Sequence, residues 1–320
     1  MKVVFAGTGE IGVPVLEWLL ASPHQVTGVI TQPDKPVGRH QQLTPSAIKV
    51  LAQRAGVPVQ QPLKMRDPAA IEELRALSPD VLIVMAYGQI LPRAVLDLPS
   101  VACLNLHASL LPKHRGAAPI QAAIETGDPE SGVTVMYMAE GLDTGDVLLE
   151  KRLRLRRRET GGTLHDRLGL LAPDALAEAL DLLTRGCAPR VPQDEALATY
   201  ARKLCREDGL LHWESAQSVD RRVRAMNPWP GAYTLLPTTD GSGVRKLKVF
   251  SVIQSRTGSG GKAPGTVLSV ESRGVLVAAG ETSVWLTEVQ LEGKRRMRAA
   301  EFLRGTPLHP GIVLRASELP

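Results

Sequence analysis

The chain has 320 residues, 43% hydrophobic and 22% charged, which suits a folded protein of about two domains and excludes a disordered one. Aromatics at 3% are too few for a series of base-stacking platforms, and Cys103, Cys187 and Cys205 lack the spacing of a disulfide scaffold or zinc ribbon. The net charge of +5 is uneven: residues 201–320 carry 18 Lys and Arg against 11 Asp and Glu, and residues 1–200 carry 20 against 22, so a polyanionic partner is expected for the C-terminal part.

Lys2–Ala6 is a short apolar run closed by Gly7, which predicts a strand and not a leader peptide. Val13–Leu20 reads as a helix, Val26–Ile30 as a strand, and Pro45–Ala55 and Pro68–Leu77 as helices. Val81–Ala86 and Val101–Leu106 are continuously apolar, as strands buried on both faces are. Strands alternating with helices predict a parallel sheet covered on both sides, with ligands beyond the carboxyl ends of its strands. Val133–Met138 and Val147–Leu155 read as a further strand pair, and Gly162–Thr184 as a long helix. The Arg156-Arg157-Arg158 run reads as a solvated strand end.

Gly186, Pro189 and Pro192 mark Arg185–Arg206 as a linker. Ser215–Met226 reads as a short helix, and Asn227-Pro228-Trp229-Pro230-Gly231 as a turn. Short β runs follow Tyr233, at Lys246–Ile253, Gly265–Val270, Gly274–Ala278 and Ser283–Val289. They predict a small barrel. No run approaches the roughly 18 apolar residues that cross a bilayer, so a soluble, cytoplasmic protein without a membrane partner is expected.

Two motifs compete for the active site. Gly7-Thr8-Gly9-Glu10-Ile11-Gly12 matches GxGxxG between a strand and a helix, with Asp34 where a ribose-binding acid would stand. Read alone, this points to a nicotinamide-dependent oxidoreductase using Gly7, Gly9 and Gly12, but Asp34 lies past the end of the second strand and such a domain leaves the polar cluster described next unexplained. The bland alternative is a tight turn that needs glycine. The second motif is Asn105-Leu106-His107 at the end of a central strand, where residues i and i+2 share a face. An amide donor can bind a developing oxyanion, and an imidazole can move a proton near neutral pH. The glycine-bounded loop Gly141-Leu142-Asp143-Thr144-Gly145-Asp146 could bring a carboxylate to His107. No Gly-x-Ser-x-Gly elbow exists, Cys103 reads as core, and the histidines lack metal-ligand spacing. Direct acyl transfer between two bound substrates, without a metal, is what remains.

Asn105 to Pro112, followed by Arg115-Gly116-Ala117-Ala118-Pro119-Ile120, resembles the signature of the folate-dependent formyltransferases, and Gly141 to Asp146 resembles their second motif. Thr31 to Arg39, Ala86 to Pro92 and Asn227 to Gly231 are similar to the branch that formylates the methionyl initiator tRNA. The resemblance implies a Rossmann-like, mostly parallel α/β sheet followed by a small OB-like β-barrel. The implied boundaries are a catalytic domain over 1–185, a linker over 186–205 and a basic tRNA-binding domain over 206–320.

It further implies Asn105, His107 and Asp143 as catalytic residues. Ser109, Leu110, Leu111 and Pro112 would line the folate pocket. The loop from Gln32 to Leu43 would enter the acceptor end of the tRNA, with Arg39 reading it and Lys35 and Lys49 adding charge. The donor would be 10-formyltetrahydrofolate, the acceptor the α-amine of the methionyl initiator tRNA, and the enzyme a monomer. Two features depart from the family: Gly9 stands where a proline is common, which creates the GxGxxG match, and His40-Gln41-Gln42 stand where the loop often carries lysines after the arginine. A related enzyme formylating a small amine, such as glycinamide ribonucleotide or an amino sugar, would share the catalytic trio. It would need neither the Gln32–Leu43 loop nor a basic second domain. A non-catalytic tRNA-binding protein is the reading in which Asn105 and His107 are only core polar groups.

Overall fold

The computed structural model describes residues 1–38, 41–238 and 243–316. Two compact units divide the chain. The first comprises residues 1–119, 130–154 and 165–202, and the second 120–129, 155–164 and 203–320. Residues 186–202, read from sequence as part of a linker, thus group with the first unit.

The first unit follows the alternation read from sequence. It runs β1 (Lys2–Gly7), α1 (Val13–Ala21), β2 (Gln25–Ile30), β3 (Lys35–Val37), β4 (Gln42–Thr44), α2 (Ala47–Arg54), β5 (Val59–Gln60), α3 (Pro68–Ala76) and β6 (Val81–Met85). It continues with α4 (Arg93–Leu96), β7 (Ala102–His107), β8 (Arg115–Gly116), α5 (Pro119–Thr126), β9 (Glu130–Tyr137), β10 (Val147–Arg154), α6 (Gly161–Thr184) and β11 (Tyr200–Ala201). Residues 120–126 of α5 and the first turn of α6 group with the second unit. Seven strands form one sheet in the order β10-β9-β7-β6-β1-β2-β5. The pairs from β7 to β5 are parallel, and β9 and β10 are antiparallel additions.

Every residue of β6 is buried, which is why its sequence is apolar without alternation. Leu82 and Ile83 are fully buried there, and each such side chain stabilises the fold by roughly 1.5–3 kcal/mol relative to exposure. Leu164, Leu168, Leu176 and Leu180 of α6 are fully buried. The β3–β4 hairpin was not read from sequence. Its strands have three residues each and β3 contains Pro36, too little for a period-two signal.

The second unit contains α7 (Ala216–Ala225) and strands β12 (Tyr233–Pro237), β13 (Val244–Ser255), β14 (Val267–Glu271), β15 (Gly274–Ala279), β16 (Thr282–Leu291) and β17 (Met297–Arg298), followed by α8 (Ala299–Gly305). The order is β12-β13-β16-β15-β14, with β17 on β16. Both edges of this antiparallel sheet meet the same tail segment. Leu235 of β12 exchanges backbone hydrogen bonds with Arg315, and Val267 of β14 donates to the Ile312 carbonyl at 2.7 Å. The tail therefore closes the sheet into a barrel and covers its edges. Within this unit a groove of about 770 Å³ is lined by Arg156, Arg157, Arg158, Arg221, Arg224 and Arg296, among others. Among the described residues no helix is long and apolar enough to cross a membrane.

Candidate active site

The trio predicted from sequence converges in the first unit. β7 pairs with β6 on one side and β9 on the other, with Asn105 opposite Val84 and Met136, and His107 opposite Thr134. The period-two geometry then places Asn105 and His107 on one face at the carboxyl end of β7. The Gly141–Asp146 loop follows β9 and delivers Asp143 to them. Asn105 Nδ2 donates to Asp143 Oδ1 at 3.3 Å. His107 Nδ1 faces Asp143 Oδ2 at 3.6 Å, with the two side chains only 6% and 13% exposed.

The partners define donors and acceptors. A carboxylate only accepts, so the Asn105 nitrogen faces Asp143, and its amide has a second N–H for another acceptor. His107 Nε2 lies 2.9 Å from the His114 carbonyl, which also only accepts. Nε2 therefore carries a proton, and Nδ1 is the nitrogen that faces Asp143. Asp143 Oδ2 accepts from the Gly116 N–H at 2.8 Å. Gly116 has φ +112, and a Cβ there would lie 2.6 Å from the Ala201 carbonyl, so only glycine fits.

Arg115, Gln193 and Glu195 were not singled out by role from sequence, although Arg115 stands inside the quoted motif. Arg115 is fully buried and donates to Gln193 Oε1 through Nε at 3.0 Å and Nη2 at 2.8 Å. Its guanidinium also donates twice to the Glu195 carboxylate, at 2.8 and 2.7 Å. Arg115 holds that carboxyl below the usual carboxylate range. The separations of 78 and 80 residues leave no local pattern by which these partners could be found.

The Ser109–Pro112 segment, expected from sequence to line the folate pocket, is built inward. Ser109 is buried and donates to the Lys113 carbonyl at 2.6 Å, closing a turn. Thr134 Oγ1 donates to the Ser109 carbonyl and accepts from the Leu111 N–H. Leu111 is buried, while Leu110 and Pro112 keep partial exposure. In the Gln32–Leu43 loop, expected from sequence to meet the tRNA, Lys35 is exposed and donates to the neutral Gln32 side chain. Lys49 is ion-paired with Asp34 at 2.7 Å. Arg39 lies outside the described residues.

The glycine motif resolves as a packed turn. The N–H groups of Thr8 and Gly9, which a pyrophosphate would need, both donate to the Ala86 carbonyl at 3.2 Å. A Cβ at Gly7 would fall 2.6 Å from the Phe5 ring, and one at Gly12 would fall 3.1 Å from it. Asp34, the candidate ribose ligand, accepts from Lys49 and from Gln61, and the ammonium beside it lowers its carboxyl below the usual range. Burial pushes the Cys103 thiol up to about 12. Its thiolate is then scarcely populated at neutral pH, as befits a core residue.

An amide donor, an imidazole and a carboxylate meet on a mostly parallel α/β sheet, with no activated nucleophile beside them among the described residues, an arrangement suited to group transfer. Residues 1–180 match the formyl transferase family, and residues 203–307 match its formyl transferase C-terminal domain. The chain belongs to the formyl transferase family, and within it to the methionyl-tRNA formyltransferases. A methionyl-tRNA formyltransferase of Geotalea daltonii is 48% identical, covering 98% of both chains. That of Citrifermentans bemidjiense is 47% identical over 98% of this chain and 96% of its own. Among solved structures, an N-formyltransferase from Helicobacter canadensis shares the fold at TM-score 0.64 and 15% identity, covering 89% of this chain and 98% of that one. HypX from Aquifex aeolicus does so at TM-score 0.63 and 20% identity, covering 97% of this chain and 49% of its own.

Proposed function

We propose that this enzyme transfers the formyl group of 10-formyltetrahydrofolate to the α-amine of methionine on the initiator tRNA. The observation that carries this reading is the convergence of Asn105, Asp143 and His107 at the carboxyl end of β7. The amine attacks uncharged, because its lone pair is the nucleophile. Attack on the formyl carbon generates an oxyanion, which the second N–H of the Asn105 amide meets as a hydrogen-bond donor. His107 Nδ1 takes the proton that the amine loses and returns it to the departing folate nitrogen. The His114 carbonyl orients the imidazole through Nε2, and Asp143 steadies the ring once Nδ1 carries the proton. The C–N bond to the amine forms, the C–N bond to the folate breaks, and one proton passes from the first nitrogen to the second. Ser109 to Pro112 shape the wall on which the folate rests, with Leu110 and Pro112 facing it.

The test is formyl transfer to methionine-charged initiator tRNA with the folate donor, with His107→Ala as control. Transfer that vanishes in the variant supports both reaction and site. Absence of transfer by the unaltered protein would sink the reading.

Recognition of the tRNA divides between two surfaces. Lys35, Arg39 and Lys49 serve the acceptor end, with Arg39 as the reading residue. Arg39→Ala is expected to reduce discrimination between initiator and elongator tRNA by about 1–3 kcal/mol, measured as a ratio of kcat/KM values, with the folate KM unchanged. Equal discrimination by the variant would remove Arg39 from recognition. The second unit carries the tRNA body. Its Arg156, Arg157 and Arg158, given no role from the sequence alone, are exposed on a basic groove. Replacing all three by alanine should flatten the log–log salt dependence of tRNA binding by about one unit for each phosphate that is no longer neutralised. An unchanged slope would show that the groove does not meet the RNA.

A further inference from the structure

We propose that residues 191–201, read from sequence as linker, are a brace that positions Asp143, with Gln193 as its working side chain and Arg115 as its anchor. The proposal rests on the catalytic reading of Asp143 given above. The segment is pinned at both ends. Val191 exchanges two backbone hydrogen bonds with Val147, at 2.8 and 3.0 Å, just beyond the Asp143 loop. At the other end β11 pairs with β8, setting Tyr200 against Arg115 and Ala201 against Gly116. The Arg115 N–H donates to the Thr199 carbonyl at 2.8 Å, and the His114 N–H donates to Thr199 Oγ1 at 2.8 Å. The brace therefore holds the residues whose backbone serves the trio: His114 accepts from His107, and Gly116 donates to Asp143.

Between these pins, Gln193 reaches the catalytic loop itself. Its Nε2 donates to the carbonyls of Asp143 at 2.8 Å and Gly145 at 2.7 Å. Its Oε1 accepts twice from buried Arg115. This position needs two donors on one atom and an acceptor on the other, and only a primary amide supplies both. The loop needs holding because Asp143 has φ +54. A non-glycine residue in that conformation is strained and persists only when its surroundings dictate it. Gln193 and Arg115 touch no reacting atom in the proposed mechanism; they are positioning residues.

The decisive variant is Gln193→Glu. It keeps the acceptor for Arg115 but turns a carboxylate oxygen toward two carbonyls. It is expected to lower kcat at least about tenfold, with KM for both substrates within about threefold, because the trio is displaced and the substrate surfaces are not. Gln193→Met, which removes the same donors without adding charge, is expected to behave alike and stands in if the first variant fails to fold. In an Asp143→Asn background, adding Gln193→Glu should change kcat by no more than about twofold, since a brace that acts through Asp143 has nothing left to position. Wild-type kcat in the Gln193 variants, or fully additive losses in the double variant, would overturn the brace while the trio stands. Wild-type kcat in Asp143→Asn would remove the catalytic reading and the brace with it.

Discussion

Alanine at Asn105, His107 or Asp143 is expected to lower kcat at least about 10²-fold in each case, with the protein still folded. The reasons differ by residue. His107→Ala removes the proton carrier of the proposed mechanism, and positioned general acid–base catalysis supplies roughly 10²–10⁴-fold. Asn105→Ala removes the amide N–H that the proposed mechanism uses to meet the oxyanion, and the loss of one such donor costs about 10²–10³-fold. Asp143→Ala leaves His107 Nδ1 without its carboxylate and the Gly116 N–H without its acceptor. Folding survives because the seven-stranded sheet and its apolar layers are held by other residues. The measurement is single-turnover transfer at saturating substrate, with circular dichroism to check the fold. Near-normal turnover by any one variant would strike that residue from the mechanism.

The second large effect is expected at Gly145, which touches no substrate in the proposed mechanism. A Cβ there would lie 1.7 Å from the Tyr137 carbonyl oxygen. That atom belongs to the backbone of β9, so it cannot swing aside as the end of a flexible side chain would. The loop must move instead, and Asp143 moves with it, since the two residues are two positions apart and share the Gln193 donor. Displacement of a catalytic group by about 1 Å costs on the order of 10²-fold in rate. Gly145→Ala should therefore lose kcat on that scale. Overpacking should also lower stability by about 1–3 kcal/mol, seen as a reduced urea midpoint. A variant with intact kcat would show that the loop absorbs the methyl group without moving Asp143.

The Gly141–Asp146 loop and the turn at Gly7 contrast instructively, because both are glycine-bounded and follow a strand. The sequence alone made the first a plausible carboxylate carrier and the second a plausible pyrophosphate cradle. What separates them is the use of backbone groups. The Thr8 and Gly9 N–H groups are taken by Ala86, a partner nearly eighty positions away along the chain. The Asp143 side chain instead reaches Asn105, Gly116 and His107. Motif matching reads residue types at fixed spacing, and whether a donor is already paired is not contained in that spacing.

The features legible in the sequence are those set by neighbours along the chain. Continuous apolarity in Val81–Met85 and the strand that follows announced buried parallel strands, because both faces of such strands are covered. Period-two geometry put Asn105 and His107 on one face, and short β runs after Tyr233 announced a barrel. Tertiary structure alone decided the rest. It tied the barrel closed through residues 311–315, ion-paired Lys49 with Asp34, and brought Gln193 and Arg115 to the Gly141–Asp146 loop. The physical reason is one of range. Backbone periodicity and side-chain hydrophobicity act over a few residues and leave a trace in the order of the amino acids. A hydrogen bond such as that from Gln193 to Asp143, 50 residues apart, forms only because the folded chain carries both ends to the same place.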